Sequence, residues 1–129
     1  MQCIRKMLFV LILVCSVSVA VAAGLSRYSA EEVYDFLRNT DSAVVILDVR
    51  TPEEYASGHI SGALLYDYHG KEFVRKLLEL PRNAVYVVYC ATGYRSIRTA
   101  RFLQEQGYDV IHLDGGIEAW KALQFPIVK

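Results

Sequence analysis

Two apolar segments constrain the fold of this chain more than any other feature. They are AVVILDV at residues 43–49 and AVYVVY at residues 84–89, and both are rich in β-branched or aromatic residues. A strand with one solvated face alternates apolar and polar residues, whereas a nearly continuous apolar run is typical of a strand covered on both faces. The two segments therefore predict buried strands of a mainly parallel sheet.

Helical patterns alternate with these strands. Ser29 and Glu32 form a capping box at the start of a helix over residues 30–38, and Thr51 with Glu54 marks a second, short helix. The remaining predicted elements are a short strand at 63–66, a helix at 71–80, a helix at 96–106, a strand at 109–113 and a helix at 117–123. This order predicts one α/β domain over residues 24–129, with a mainly parallel central sheet and helices on both faces.

The first 23 residues have the pattern of an export signal. Arg5 and Lys6 precede an apolar segment at residues 7–19, and AVA at residues 20–22 has the small residues that signal peptidase accepts. The apolar segment is shorter than the roughly 20 residues of a spanning helix, which favours cleavage over an uncleaved anchor. We therefore expect a signal peptide at residues 1–23 and a periplasmic or secreted mature protein without a membrane span.

The charge and the cysteine content limit the partners and the kinds of site that this chain can have. The full chain has 14 basic and 14 acidic residues, and cleavage would leave 12 basic against 14 acidic, so nothing favours nucleic acid as a partner. Cys3 and Cys15 lie in the signal, which leaves Cys90 alone in the mature chain, without a disulfide partner. No metal-ligand spacing connects the histidines, which are His59, His69 and His112. We expect a monomer with neither a metal nor a cofactor.

Cys90 lies where the second buried strand ends and a helix is expected to begin. Ligands of parallel α/β sheets bind at this edge. The intervening loop would direct backbone N–H groups at the sulfur, and the helix would add the positive end of its dipole. An anion-binding loop of this kind lowers a thiol pKa from about 8.5 into the range of roughly 3.5–7.5. The loop residues expected to take part are Ala91, Thr92, Gly93, Tyr94, Arg95 and Ser96.

Three stretches of the chain resemble signatures of the rhodanese family. CATGYRS at residues 90–96 resembles its active-site loop, Cys-x-x-Gly-x-Arg-Ser, and LDVRTPEEYASGHISGAL at 47–64 and LDGGIEAW at 113–120 resemble its flanking signatures. The resemblance implies a single-domain rhodanese fold with sulfurtransferase activity. Sulfane sulfur would pass from thiosulfate or a thiol persulfide to Cys90 and then, from a Cys90 persulfide, to cyanide or a thiol. A partner protein could also act as the donor or the acceptor.

Several side chains near the loop admit two roles. Arg95 would steady an anionic donor or persulfide, or would pair with a carboxylate, and Thr92 could donate a hydroxyl hydrogen bond. Asp48 and Arg50 end a strand near the cleft, where an ion pair explains them better than substrate contact. Many rhodaneses have a basic residue where this chain has Ala91, so the site has less positive charge to attract thiosulfate.

Three rival functions use the same features. A phosphatase or an arsenate reductase also employs a thiolate in an anion cradle, but the related phosphatases have five residues between cysteine and arginine, and this chain has four. A non-catalytic binding module of the same fold commonly lacks the cysteine. A thiol–disulfide oxidoreductase would need a second, resolving thiol in the mature chain.

Overall fold

Strands and helices alternate along the part of the chain that the computed structural model describes, residues 24–129. The predicted signal peptide, with Cys3 and Cys15, lies outside the described residues. The elements are β1 Ser26–Tyr28, α1 Ala30–Asn39, β2 Val44–Asp48, α2 Pro52–Ala56, β3 Leu64–Leu65, α3 Phe73–Leu78, β4 Val85–Tyr89, α4 Tyr94–Glu105, β5 Asp109–Leu113 and α5 Gly116–Ala122. None of the described helices is long and apolar enough to cross a membrane.

The five strands form one parallel sheet in the order β1-β5-β4-β2-β3, which confirms the predicted fold class. β4 is the central strand and pairs with β2 on one side and β5 on the other. The sequence analysis missed β1, a three-residue edge strand in which Ser26 and Arg27 are exposed. Because this strand has no apolar run, its pairing with β5 leaves no local signal in the sequence.

Helices cover both faces of the sheet. The core on one face joins α3 and α4 to the sheet, and the core on the other face joins α1 and α5 to it. Along β4, Tyr86 and Val88 belong to the first core, and Val87 and Tyr89 belong to the second. All four side chains are fully buried, which explains why the run at residues 84–89 shows no polar alternation.

The helices start at or near their predicted positions, with two-residue differences at α3, which begins at Phe73 instead of residue 71, and at α4. The capping boxes at Ser29 and Thr51 are both formed. Helix α4 begins at Tyr94, two residues before the predicted start, because Gly93 acts as its N-cap with a φ of 124°. The loop after Cys90 is therefore shorter than expected, and Arg95 lies in the first turn of the helix.

Candidate active site

Cys90 directly follows the central strand β4, at the carboxyl edge of the sheet. Its side chain is 1 % exposed, and its sulfur accepts three hydrogen bonds. The donors are the Gly93 N–H at 3.1 Å, the Ser96 N–H at 3.4 Å and the Ser96 hydroxyl at 3.3 Å. The short loop and the first turn of α4 thus surround the sulfur with donors, as expected of an anion-binding loop.

Hydrogen bonding shifts the acidity of this buried thiol. Burial opposes ionisation of Cys90, but the three hydrogen bonds to the sulfur, with a smaller contribution from the Arg95 N–H, outweigh it and lower the pKa of the thiol below its ordinary value. The direction agrees with the shift expected from the sequence. The thiolate, which is the nucleophilic form, is favoured by fixed dipoles that need no reorganisation.

Glycine is required at position 93 for its backbone conformation. The φ of 124° lies in a region that side-chain-bearing residues rarely adopt. A Cβ atom here would lie 3.6 Å from Cε1 of His112, an ordinary van der Waals contact, so the requirement is conformational and not steric. Gly93 therefore lets the chain turn sharply enough to direct its own N–H at the sulfur.

Helix α5 supports the loop from the side of β5. The Ile117 N–H donates to the Cys90 carbonyl at 2.9 Å, and the Glu118 N–H donates to the Ala91 carbonyl at 3.1 Å. A Cβ atom on Gly116 would lie 2.5 Å from the Cys90 carbonyl oxygen and closer still to that of Ala91. The glycine pair at 115–116, which the sequence analysis treated only as a turn, is therefore a close contact that fixes the nucleophile.

Arg95 pairs with a carboxylate, the second of the two roles considered for it. Its guanidinium donates to both carboxylate oxygens of Glu54 in α2, at 2.8 and 3.0 Å. This hydrogen bonding lowers the pKa of Glu54 to about 2, against a smaller effect of burial and with help from Thr51. The pKa of Arg95 is raised, chiefly by Glu54 and to a smaller extent by Cys90. The guanidinium therefore lies near the thiol, but with most of its charge balanced by Glu54.

Asp48 and Arg50 form a buried ion pair away from solvent. The Arg50 Nη2 lies 2.7 Å from Asp48 Oδ2 and donates to the Gly58 carbonyl at 2.7 Å. The Tyr89 hydroxyl also donates to Asp48 at 2.7 Å and accepts from the Ile60 N–H. The Arg50 side chain is 3 % exposed and the Asp48 side chain is 0 % exposed. The pair holds the segment after α2 against β2 and β4.

The other loop residues face the solvent. Thr92 is exposed, Ala91 is half-buried, and the Tyr94 side chain is 66 % exposed beneath the guanidinium of Arg98. The hydrogen bonds to the Cys90 sulfur come from Gly93 and Ser96 and not from the Thr92 hydroxyl. Thr92 and Tyr94 therefore lie where a donor or an acceptor would meet the loop.

The sequence analysis missed a polar chain behind the sulfur. Ser96 Oγ lies 2.8 Å from Nε2 of His112, and Nδ1 of His112 lies 2.8 Å from Oδ1 of Asp114. The parallel register places His112 beside Val88, two residues before the nucleophile, and this pairing was the only signal that could have revealed the contact. No cluster of three potential metal ligands occurs within residues 24–129.

Comparison with known proteins shows which family the chain belongs to. The rhodanese-like domain family matches residues 29–123. A protein of Allochromatium vinosum named sulfurtransferase is 35 % identical over 105 residues, which cover 81 % of this chain and 95 % of that protein. The thiosulfate sulfurtransferase GlpE of Pseudomonas putida is 40 % identical over 89 residues, covering 67 % of this chain and 76 % of GlpE.

A solved structure shows the same fold. The crystal structure of a rhodanese-related protein from Thermoplasma volcanium has a TM-score of 0.71 and 30 % sequence identity to this chain. The alignment covers 80 % of this chain and 97 % of that one. The matched residues contain the Cys90 loop, the segment that carries Glu54, and the glycine pair before α5. The chain therefore belongs to the rhodanese-like family, with relatives that are named sulfurtransferases.

Proposed function

We propose that this protein transfers sulfane sulfur through a persulfide on Cys90. The observation that carries the proposal is the set of three hydrogen bonds converging on the sulfur of a thiol with a lowered pKa. Family membership supports sulfurtransferase activity as the general class. The loop offers what this chemistry needs, which is a stabilised sulfur anion at the solvent-facing edge of the sheet.

The reaction divides into two displacements at sulfur. The Cys90 thiolate attacks the outer sulfur of the donor, the donor S–S bond breaks, and sulfite or a thiolate departs with the electron pair. An acceptor nucleophile, such as cyanide or a thiolate, then attacks the outer sulfur of the Cys90 persulfide. Cys90 leaves as a thiolate, and the loop N–H groups stabilise it again.

The charges around the loop favour a thiol persulfide over thiosulfate as the donor. Ala91 is uncharged, and the Arg95 guanidinium is engaged by both oxygens of Glu54. Thiosulfate carries two negative charges, and beside the loop it would meet Arg98, whose guanidinium lies over the exposed ring of Tyr94, rather than a free Arg95. A thiol persulfide, free or on a partner protein, needs less electrostatic compensation.

The mass of the reduced protein, measured before and after addition of a donor, tests this function. We expect Cys90 to gain one sulfur atom, more completely from a small thiol persulfide than from thiosulfate, and to lose it to cyanide as thiocyanate. Cys90→Ser is the control and should gain none. If the wild-type protein gains no sulfur from either donor, the proposed function is wrong, and phosphatase substrates and partner capture should be tested next.

We also propose that the protein acts outside the cytoplasm. The support is the basic and apolar pattern of residues 1–23 with its small residues at 20–22. The test is the intact mass of the protein recovered from cell fractions. An exported chain beginning at residue 23 or 24 supports the proposal, whereas a chain retaining residues 1–22 in the cytoplasm contradicts it.

A further inference from the structure

A chain of polar groups, buried where it begins, runs from the nucleophile to the carboxyl end of β5. The Ser96 hydroxyl links the sulfur of Cys90, at 3.3 Å, to Nε2 of His112, at 2.8 Å. His112 contacts Asp114 at 2.8 Å, and Asp114 contacts Nε of Arg27 at 3.0 Å. Cys90, Ser96 and His112 are each at most 2 % exposed, whereas the side chains of Asp114 and Arg27 are 37 % and 55 % exposed, so the chain meets solvent at its far end.

The contacts of Ser96 exceed what one hydroxyl proton can satisfy. Its oxygen lies within hydrogen-bonding distance of the Cys90 sulfur, the Gly93 carbonyl and His112 Nε2. When His112 is neutral with its proton on Nδ1, facing the Asp114 carboxylate, Nε2 accepts the Ser96 proton and none remains for the sulfur. When His112 is protonated, Nε2 donates to Ser96, and the hydroxyl proton is free to bond a thiolate.

We propose that His112, acting through Ser96, takes up the proton that leaves Cys90. The S–H bond breaks, its proton passes to Ser96 Oγ, and the proton already on that oxygen passes to Nε2 of His112. The products are a thiolate that accepts the Ser96 hydroxyl and an imidazolium that donates to Asp114. His112 thus acts on the nucleophile through Ser96, as a positioning residue that holds the proton released by Cys90. The inference rests on the proposed role of Cys90.

The charges around His112 explain why Cys90 would control its protonation. The charged and titratable groups that face it are Asp114 on its own strand end, Arg27 from β1 and Cys90 from the end of β4. Burial lowers the pKa of His112 and outweighs the opposing effect of Asp114. A thiolate nearby adds a second negative charge that favours the imidazolium. By reciprocity, the imidazolium favours the thiolate to the same extent.

The first test follows the pH dependence of Cys90 alkylation by iodoacetamide, an uncharged reagent. In His112→Gln we expect the midpoint of the pH–rate profile to rise by about one unit, a tenfold loss in the thiolate-to-thiol ratio below the midpoint. His69→Gln, the same substitution at an exposed histidine, should leave the midpoint unchanged. An unchanged midpoint in folded His112→Gln would overturn the proposal.

A double variant separates a proton relay from mere packing. Ser96→Ala should also raise the midpoint, because it removes the link between the sulfur and His112. Combined with His112→Gln, it should raise the midpoint no further than Ser96→Ala does alone, since both substitutions interrupt one chain. Fully additive shifts would show that the two residues act independently and would contradict the relay.

A measurement on His112 itself needs no substitution of the histidine. ¹⁵N NMR of the reduced wild-type protein should show His112 losing its proton at a higher pH than in Cys90→Ser, which cannot form a thiolate. Equal titration in the two proteins would rule out the relay. Neither measurement uses a sulfur donor, so failure of the relay and failure of the sulfurtransferase proposal give different results.

Discussion

At the residue scale, hydrogen bonds from the loop and the first turn of α4, rather than a free cation, set the reactivity of Cys90. The charge nearest to the sulfur belongs to Arg95, and Glu54 neutralises most of it. The groups that remain are the N–H donors of Gly93 and Ser96 and the Ser96 hydroxyl. Such dipoles act over a short range and are screened little by salt when buried, so small displacements of the loop should matter more than ionic strength.

Gly93→Ala tests this dependence on loop geometry. We expect a loss of roughly 1–3 kcal/mol in the free energy of unfolding, because a Cβ is strained at a φ of 124°. The Cys90 pKa should also rise, because the Gly93 N–H would move away from the sulfur. Urea unfolding and the pH dependence of alkylation measure the two effects.

Gly62→Ala is the matched control for this variant. Gly62 also has a positive φ, of 82°, and has no atom within 4 Å of a built Cβ, but it lies in the turn before β3. It should lose stability without changing the Cys90 pKa. If Gly93→Ala leaves that pKa unchanged, the N–H of residue 93 does not stabilise the thiolate.

At the element scale, the ion pair between Glu54 and Arg95 joins α2 to the first turn of α4. β2 and β4 are neighbouring strands of the sheet, and the pair connects the helices that follow them. It therefore fixes the helix whose amino end surrounds the sulfur. The sequence showed Glu54 only as part of a capping box, because its second partner lies 41 residues away.

Glu54→Gln tests the contribution of this pair through the pH dependence of stability. The pKa of Glu54 is lowered from 4.5 to about 2 in the folded protein, so the unfolded state binds the proton first as the pH falls. The stabilisation is complete above pH 4.5 and is lost as the pH falls toward 2. Gln keeps the capping box but does not titrate, so part of the acid-induced loss of stability should disappear.

Urea unfolding at several pH values from neutral down to about 2, a range that spans the shift, measures this effect. The control is Glu105→Gln, at an exposed position near the end of α4. The variant at position 54 should be less stable than wild type at neutral pH and approach it in acid. A constant difference between Glu54→Gln and wild type at every pH would contradict the assignment.

Some of the strands, helices and contacts could be predicted from the sequence, and others could not. β2 and β4 were predictable because both of their faces are covered, and α1 and α2 because their capping residues are local. The edge strand β1 was not, since its residues are polar and its pairing depends on β5. The link from Ser96 to His112 and the close contact of Gly116 also arise only from the arrangement of distant segments.

At the scale of the whole molecule, the described domain has a single nucleophilic sulfur and little net charge. Cys90 is the one cysteine of residues 24–129, so an oxidised Cys90 has no neighbouring thiol to resolve it. The near balance of basic and acidic residues also provides no long-range attraction for anions. Protection of the sulfur therefore depends on burial and, under the proposed function, on rapid loading by the donor.

Peroxide treatment tests this vulnerability. We expect peroxide to inactivate the protein by converting the Cys90 thiolate to a sulfenic acid and then to higher oxides. If Cys90 is first loaded from a thiol persulfide, peroxide should oxidise the outer sulfur in place of Sγ. Reduction should then remove the oxidised outer sulfur and restore activity. Peptide mass spectrometry locates the added oxygen. Equal loss with and without loading would show that the persulfide gives no protection.

The position of Cys90 directly after the central strand has a consequence for how long the site stays assembled. Peripheral elements open by local fluctuations, whereas a central strand paired on both sides separates only when the domain unfolds globally. Backbone amides of β4 should accordingly be among the slowest to exchange with deuterium. Because Cys90 directly follows β4, its backbone should stay anchored for as long as the domain is folded, so the hydrogen-bond donors around the sulfur should persist on the timescale of global unfolding.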